Sequence, residues 1–171
     1  MLRLYYTEQK IPSQEFLFSI LQQYHGVELQ PLLYGEHGKP YIQGNPVFFS
    51  LSHSHELTAL AVSDAPVGLD VEYALRKENY EAILRRLSPT ERAEIADMGA
   101  FLTHWTAKES YIKYKGQTLA ALYQRLCFCE GVLSLDGKAV DAIISHGKLP
   151  HEYIYALCSA KEQAAGWIKV I

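Results

Sequence analysis

Asp70, Glu72, Glu109 and Lys113 are the residues of this chain whose types and spacing could do chemistry. The first two lie in Gly68-Leu69-Asp70-Val71-Glu72, at the end of an apolar run. Side chains two apart on a strand project to the same face, so both carboxylates can point at one ion. Glu109 lies in Trp105-Thr106-Ala107-Lys108-Glu109-Ser110-Tyr111-Ile112-Lys113, in step with Leu102, Trp105 and Ile112. That register puts a carboxylate inside the apolar stripe of a helix, where an unpartnered charge is costly. Three converging carboxylates suggest Mg²⁺, which prefers oxygen ligands and is often shared with a substrate phosphate. Simpler readings exist for each pair. Asp70 and Glu72 also suit the solvent face of an edge strand, and Glu109 with Lys113 suits an ordinary helix ion pair worth about 0.2–0.5 kcal/mol.

Two further segments stand upstream, Gly38-Lys39-Pro40 and Phe49-Ser50-Leu51-Ser52-His53-Ser54. The His53-Ser54-His55 run has no third and fourth ligand at zinc spacing. Taken in order, GKP, FSLSHS, GLDVE and WTAKESYIK resemble the motifs of the 4′-phosphopantetheinyl transferases, in their surfactin-type branch. The resemblance implies an α+β fold of two similar halves, about 1–73 and 74–171, related by a pseudo-twofold axis with the active site between them. It also implies a Mg²⁺-dependent enzyme that moves phosphopantetheine from coenzyme A to a serine of an apo acyl- or peptidyl-carrier protein. By that likeness Asp70, Glu72 and Glu109 hold the metal, and Glu109 takes the serine proton. Lys113 neutralises the pyrophosphate with Lys108 as a second phosphate contact, and Lys39, Ser52 and His53 hold the nucleotide. Larger members carry a basic helix ahead of the GKP motif, whereas the helix expected here, Gln14 to Tyr24, has no Lys or Arg. Arg3, Lys10 or a partner subunit are candidates to fill that role. Arg76, Lys77, Arg85, Arg86 and Arg92 form a candidate basic surface for an acidic carrier, or a solvated helix face interleaved with Glu78, Glu81 and Glu91. Two other readings remain: a coenzyme A or carrier-binding module without catalysis, and a metal-dependent phosphohydrolase that uses water.

The elements that must position these residues follow from pattern. Strands are expected over Leu2–Thr7, Val47–Leu51, Leu57–Val62, Val67–Glu72, Cys127–Leu133, Ala142–Ser145 and Tyr153–Cys158, with Ser52–Glu56 as a polar turn. Helices are expected from Gln14 to Tyr24, stopped by Gly26, and from Asn79 to Arg86. Ser88-Pro89-Thr90-Glu91 is a capping box that opens another. Met98-Gly99 breaks that helix before a further one, Ala100 to Lys115, closed by Gly116. Leu57–Ser63 and Tyr153–Ser159 echo each other, each after a turn that contains His.

With 171 residues, 49% of them hydrophobic and 20% charged, the chain can bury a substantial core. A net charge of −3 does not mark a nucleic-acid binder. Three cysteines with no CxxC suit a reducing compartment. The N-terminal residues lack a signal-peptide pattern, and no apolar run reaches the roughly 20 residues of a membrane span. A cytoplasmic monomer is expected.

Overall fold

The computed structural model describes residues 1–28, 30–44, 47–76, 80–161 and 166–171. Along the chain run β1 (Leu2–Thr7), α1 (Ser13–His25), β2 (Leu33–Tyr34), β3 (Pro40–Tyr41), β4 (Phe48–Ser54), β5 (Leu57–Ser63) and β6 (Val67–Tyr73). Then come α2 (Glu81–Leu84), α3 (Pro89–Ala93), α4 (Met98–Lys115), α5 (Leu119–Leu122), β7 (Leu126–Cys129) and β8 (Val132–Leu135). Strands β9 (Lys138–Ala139), β10 (Ile143–Leu149), β11 (Tyr153–Ser159) and β12 (Trp167–Lys169) complete the α+β fold.

One sheet has the order β12-β1-β5-β4 and another β10-β11-β6, with small sheets β2-β3 and β7-β8-β9 beside them. The echoing segments take equivalent places: β5 lies between β1 and β4, and β11 between β10 and β6. Each follows a turn whose histidine has positive φ, His55 at 52° and His151 at 59°. Leu4, Ala59, Leu69, Val71 and Leu157 belong to one buried cluster that joins the two larger sheets. Helix α1 packs Phe16, Leu17, Ile20 and Leu21 against Tyr5, Leu60 and Val62. Helix α4 is buried around most of its circumference, because it lies across β6 and β11 and also meets β7 and β10.

The seam between β4 and β6 is made by side chains. Ser50, Ser52 and Ser54 Oγ accept from the backbone N–H groups of Leu69, Val71 and Tyr73 at 2.9, 3.2 and 3.0 Å. Alternate residues of β4 therefore stand in for a backbone ladder along one edge of β6. This explains a departure from expectation: Ser52, His53 and Ser54 belong to β4, and the turn shrinks to His55 and Glu56. Their polarity suggests a loop, but both serine hydroxyls bond a neighbouring strand.

Helix α3 ends at Ala93, and α4 begins at Met98 because Asp97 Oδ1 accepts from Ala100 N at 2.8 Å. Met98-Gly99 is thus the first turn of a helix, not a break between two. The expected strand Cys127–Leu133 is a hairpin, turned by Glu130 (φ 51°) and Gly131 (φ 75°). Asn79, where a helix was to start, lies outside the described residues, and α2 runs from Glu81 to Leu84. Among the described residues no helix is long and apolar enough to cross a membrane.

Candidate active site

Strand alternation places Asp70 and Glu72 on one face of β6, and α4 crosses that face with Glu109 and Lys113. Leu51, Ser52, His53 and Trp105 complete the lining of a cavity of about 360 Å³ around these four residues. Close approach of α4 to the strand depends on Gly68. A Cβ there would lie 2.9 Å from Tyr114 Cα and nearer still to the Ser110 carbonyl oxygen and the Tyr114 amide nitrogen.

Inside the cavity the polar groups are linked. Lys113 Nζ donates to Asp70 Oδ1 at 2.7 Å and to Ser52 Oγ at 3.0 Å. Ser52 Oγ donates to the same Asp70 oxygen at 2.9 Å and accepts from Val71 N, so it uses its proton and both lone pairs. Ser54 Oγ donates to Glu72 Oε2 at 2.8 Å, an oxygen that also accepts from Arg76 at 3.1 Å. The hydroxyls that stitch β4 to β6 therefore also aim the carboxylates.

Burial pushes the Glu109 carboxyl up to about 7, helped by the charges of Asp70 and Glu72 and opposed by Lys113. Burial likewise raises Glu72, against the Ser54 hydrogen bond. Asp70 Oδ2 is buried with no hydrogen-bond partner. Among the described residues, the positive charges that act on these acidic side chains, one of which has an orphaned oxygen, are Lys113 and Arg76. Their donor chemistry fits a hard divalent cation, although no three His, Cys, Asp or Glu side chains among the described residues are arranged as a metal cage.

Of the residues singled out from sequence, Asp70, Glu72, Glu109, Lys113, Ser52 and His53 meet at this cavity, with His53 exposed at its rim. Lys39 lies next door, in a cavity of about 240 Å³ that shares Leu51 and Lys113 with the first and includes His37, Gly38 and Ser50. Its ammonium faces protein carbonyls. Lys108 does not reach the site. It is 1% exposed on another face of α4, where Nζ pairs with Glu91 Oε2 at 2.8 Å and lies 4.7 Å from the Tyr123 ring centre. The expected phosphate contact at Lys108 is corrected accordingly, since successive helix residues point about 100° apart. Glu91, expected as a capping residue or on a solvated helix face, is instead buried, with Oε1 3.4 Å from His104 Nδ1, and accepts from Phe128 N at 3.3 Å. Burial raises its carboxyl, but the bonds from His104 and Lys108 outweigh this and hold it below the usual range.

Sequence reasoning missed Ser54 and the part played by Trp105. The indole, read as core, separates the carboxylate cavity from an apolar one of about 560 Å³ lined by Ile83, Arg86, Leu119 and Tyr123. That cavity is larger but holds no converging carboxylates, so the chemistry is assigned to the smaller one. Of the five basic residues proposed as a carrier surface, Arg85, Arg86 and Arg92 are exposed, Arg92 while donating to Leu87 O, and Arg76 pairs with Glu72. Lys77 lies outside the described residues.

An acidic pair on a strand, facing a helix that supplies a third carboxylate and a lysine, is a donor set suited to phosphoryl transfer as a class. Residues 66–158 match the model of the 4′-phosphopantetheinyl transferase superfamily, and the chain belongs to that family. It is 36% identical over 97 residues to 4′-phosphopantetheinyl transferase AcpT of Salmonella typhi, which covers 52% of this chain and 50% of that protein. It is 30% identical over 155 residues to 4′-phosphopantetheinyl transferase psf-1 of Bacillus pumilus, covering 78% and 62%, a match that supports the surfactin-type branch. A 4′-phosphopantetheinyl transferase of Bacillus subtilis is 34% identical over 92 residues, covering 50% and 41%. The chain thus spans about half the length of the curated relatives it matches.

Proposed function

We propose that this chain transfers the 4′-phosphopantetheine group of coenzyme A to a serine of an apo acyl- or peptidyl-carrier protein, with release of adenosine 3′,5′-bisphosphate. The observation that carries the reading is the meeting of Asp70, Glu72, Glu109 and Lys113 in one cavity, in a chain of this family. The acceptor serine oxygen forms a bond to the phosphorus that bears pantetheine, and the bond from that phosphorus to the bridging pyrophosphate oxygen breaks. Glu109, with a carboxyl near neutrality, takes the serine proton. Lys113 neutralises the departing phosphate, and Ser52 and Ser54 hold Asp70 and Glu72 in place. Asp70, Glu72 and Glu109 would hold Mg²⁺, which would supply charge neutralisation across the pyrophosphate oxygens. The cavity beside Lys39, which meets the first at Leu51 and Lys113, is proposed for the nucleotide, with Ser52 and His53 on the wall of the first. The exposed Arg85 and Arg86, next to the cavity beyond Trp105, suit an acidic carrier. Three free cysteines accord with work in the cytoplasm.

The test is the intact mass of an apo carrier protein incubated with this chain, coenzyme A and Mg²⁺. The expected result is a gain of one phosphopantetheine, lost with EDTA, with Glu109→Gln, or when the carrier serine is replaced. Release of the bisphosphate without any carrier would point to hydrolysis instead. Coenzyme A binding with no transfer to any of several carrier types would point to a binding module.

A further inference from the structure

The Lys39 ammonium bridges the two elements that carry the site. Its Nζ donates to Lys113 O at 2.7 Å and reaches Val67 O at 3.1 Å and Tyr114 O at 3.5 Å. A lysine ammonium has three donors, and three carbonyls account for them. Two of those carbonyls are among the last of α4, at the negative end of its dipole, and the Lys113 oxygen also accepts from the capping Gly116 N–H at 3.2 Å. The third belongs to the first residue of β6. The lysine stem lies over the helix C-terminus, with Cδ 3.4 Å from where a Cβ of Gly116 would stand.

We infer that Lys39 is a positioning residue, which latches the end of α4 to the start of β6 and so holds Glu109 and Lys113 in register with Asp70 and Glu72. This role deepens the transferase reading and rests on it for the effect on rate. The argument is geometric. Asp70 is three residues beyond Val67 on β6, while the Lys113 carbonyl and the Lys113 ammonium belong to one residue. One side chain therefore fixes the backbone from which the Lys113–Asp70 bond is made. It does so next to Gly68, where helix and strand come closest. A phosphate contact would take at least one ammonium proton from its carbonyl and so loosen the latch.

The experiment compares the unmodified chain with Lys39→Met, which keeps the stem, and Lys39→Gln, which keeps two donors. Transfer rates with coenzyme A and an apo carrier are measured alongside calorimetric coenzyme A binding and amide hydrogen exchange. For Lys39→Met, kcat is expected to fall about 100-fold, the loss that a small misplacement of reacting groups can cause. Coenzyme A affinity should stay within about twofold, since Met keeps the stem that lines the nucleotide cavity and the lost ammonium faces protein carbonyls. Amides at Tyr114 to Gln117 should exchange faster as the last turn loosens, and Lys39→Gln should fall between the two. A loss of about tenfold or more in coenzyme A affinity, with kcat retained at saturation, would overturn the inference, for that is what a lost charge-assisted contact produces. If the unmodified chain transfers nothing, the proposed function fails by itself. The latch is then judged by exchange, and unchanged protection of the last turn in Lys39→Met overturns it.

Discussion

Gly68→Ala tests whether the site depends on how closely α4 approaches β6. The added Cβ would meet three backbone atoms, Tyr114 Cα at 2.9 Å and the Ser110 oxygen and Tyr114 nitrogen nearer still, and no rotamer change can move them. Ordinary carbon contacts need about 3.5–4.0 Å, so the helix must retreat by more than about 1 Å. Overpacking of a core costs about 1–3 kcal/mol and occasionally more. Three rigid contacts at one site place this substitution at the upper end, about 3 kcal/mol. For a chain of this length that corresponds to a fall in melting temperature of roughly 6–12 °C. Because Ser110 adjoins Glu109, and Asp70 is two residues beyond Gly68, the same displacement opens the carboxylate cavity. Transfer should drop about 100-fold even at a temperature where the variant is folded. The assays are a thermal melt followed by circular dichroism and carrier-modification rates well below the midpoint. A variant that melts with the unmodified chain and transfers at full rate would refute the reasoning.

Ser54→Ala removes the donor to Glu72 Oε2 and the acceptor for Tyr73 N together; losing a supporting bond of this kind costs about 10–100-fold in metal affinity. A Mg²⁺ titration of the rate should shift to higher concentration accordingly, and an unchanged curve would remove Ser54 from the support of the site. Glu91→Gln leaves Lys108 buried without its counter-charge, and breaking a buried pair from one side costs about 3–5 kcal/mol. Urea unfolding should show that loss, and a midpoint equal to that of the unmodified chain would contradict it. The same cluster sets a pH dependence. Glu91 is held below its ordinary value in the folded chain, so its stabilisation is present above the ordinary carboxylate range and fades as pH falls through the lowered value. Stability measured from pH 7 downward should therefore decline in acid more steeply than that of Glu91→Gln.

Much of the site was legible because two periodicities do the placing. The i, i+2 spacing of Asp70 and Glu72 needed only a strand, and the step from Trp105 to Glu109 needed only a helix. What the pattern left out were relations between elements distant in sequence. Ser54 reads as a turn residue until β4 is set beside β6, because a hydroxyl that accepts from another strand leaves no periodic trace. Lys108 follows the same helix as Glu109, yet its partner Glu91 is on a separate short helix, and no spacing rule links the two. Lys39 is a further case: its residue type was noted, but the direction of its ammonium, toward the Val67, Lys113 and Tyr114 carbonyls, depends on where α4 ends. The hairpin β7–β8 was readable in principle, since Glu130-Gly131 resembles the two-residue turns in which both positions take positive φ.

The serine seam has a consequence beyond catalysis. A strand edge with unpaired N–H groups is a template on which another chain can add. On one side β6 is covered by β11, and on the other Ser50, Ser52 and Ser54 occupy three of its amides without β4 becoming its ladder partner. That edge is thereby closed to strands of other molecules. Replacing the serines with apolar residues would reopen it, and aggregation at high concentration is a cost of such changes that a transfer assay on dilute protein would not register.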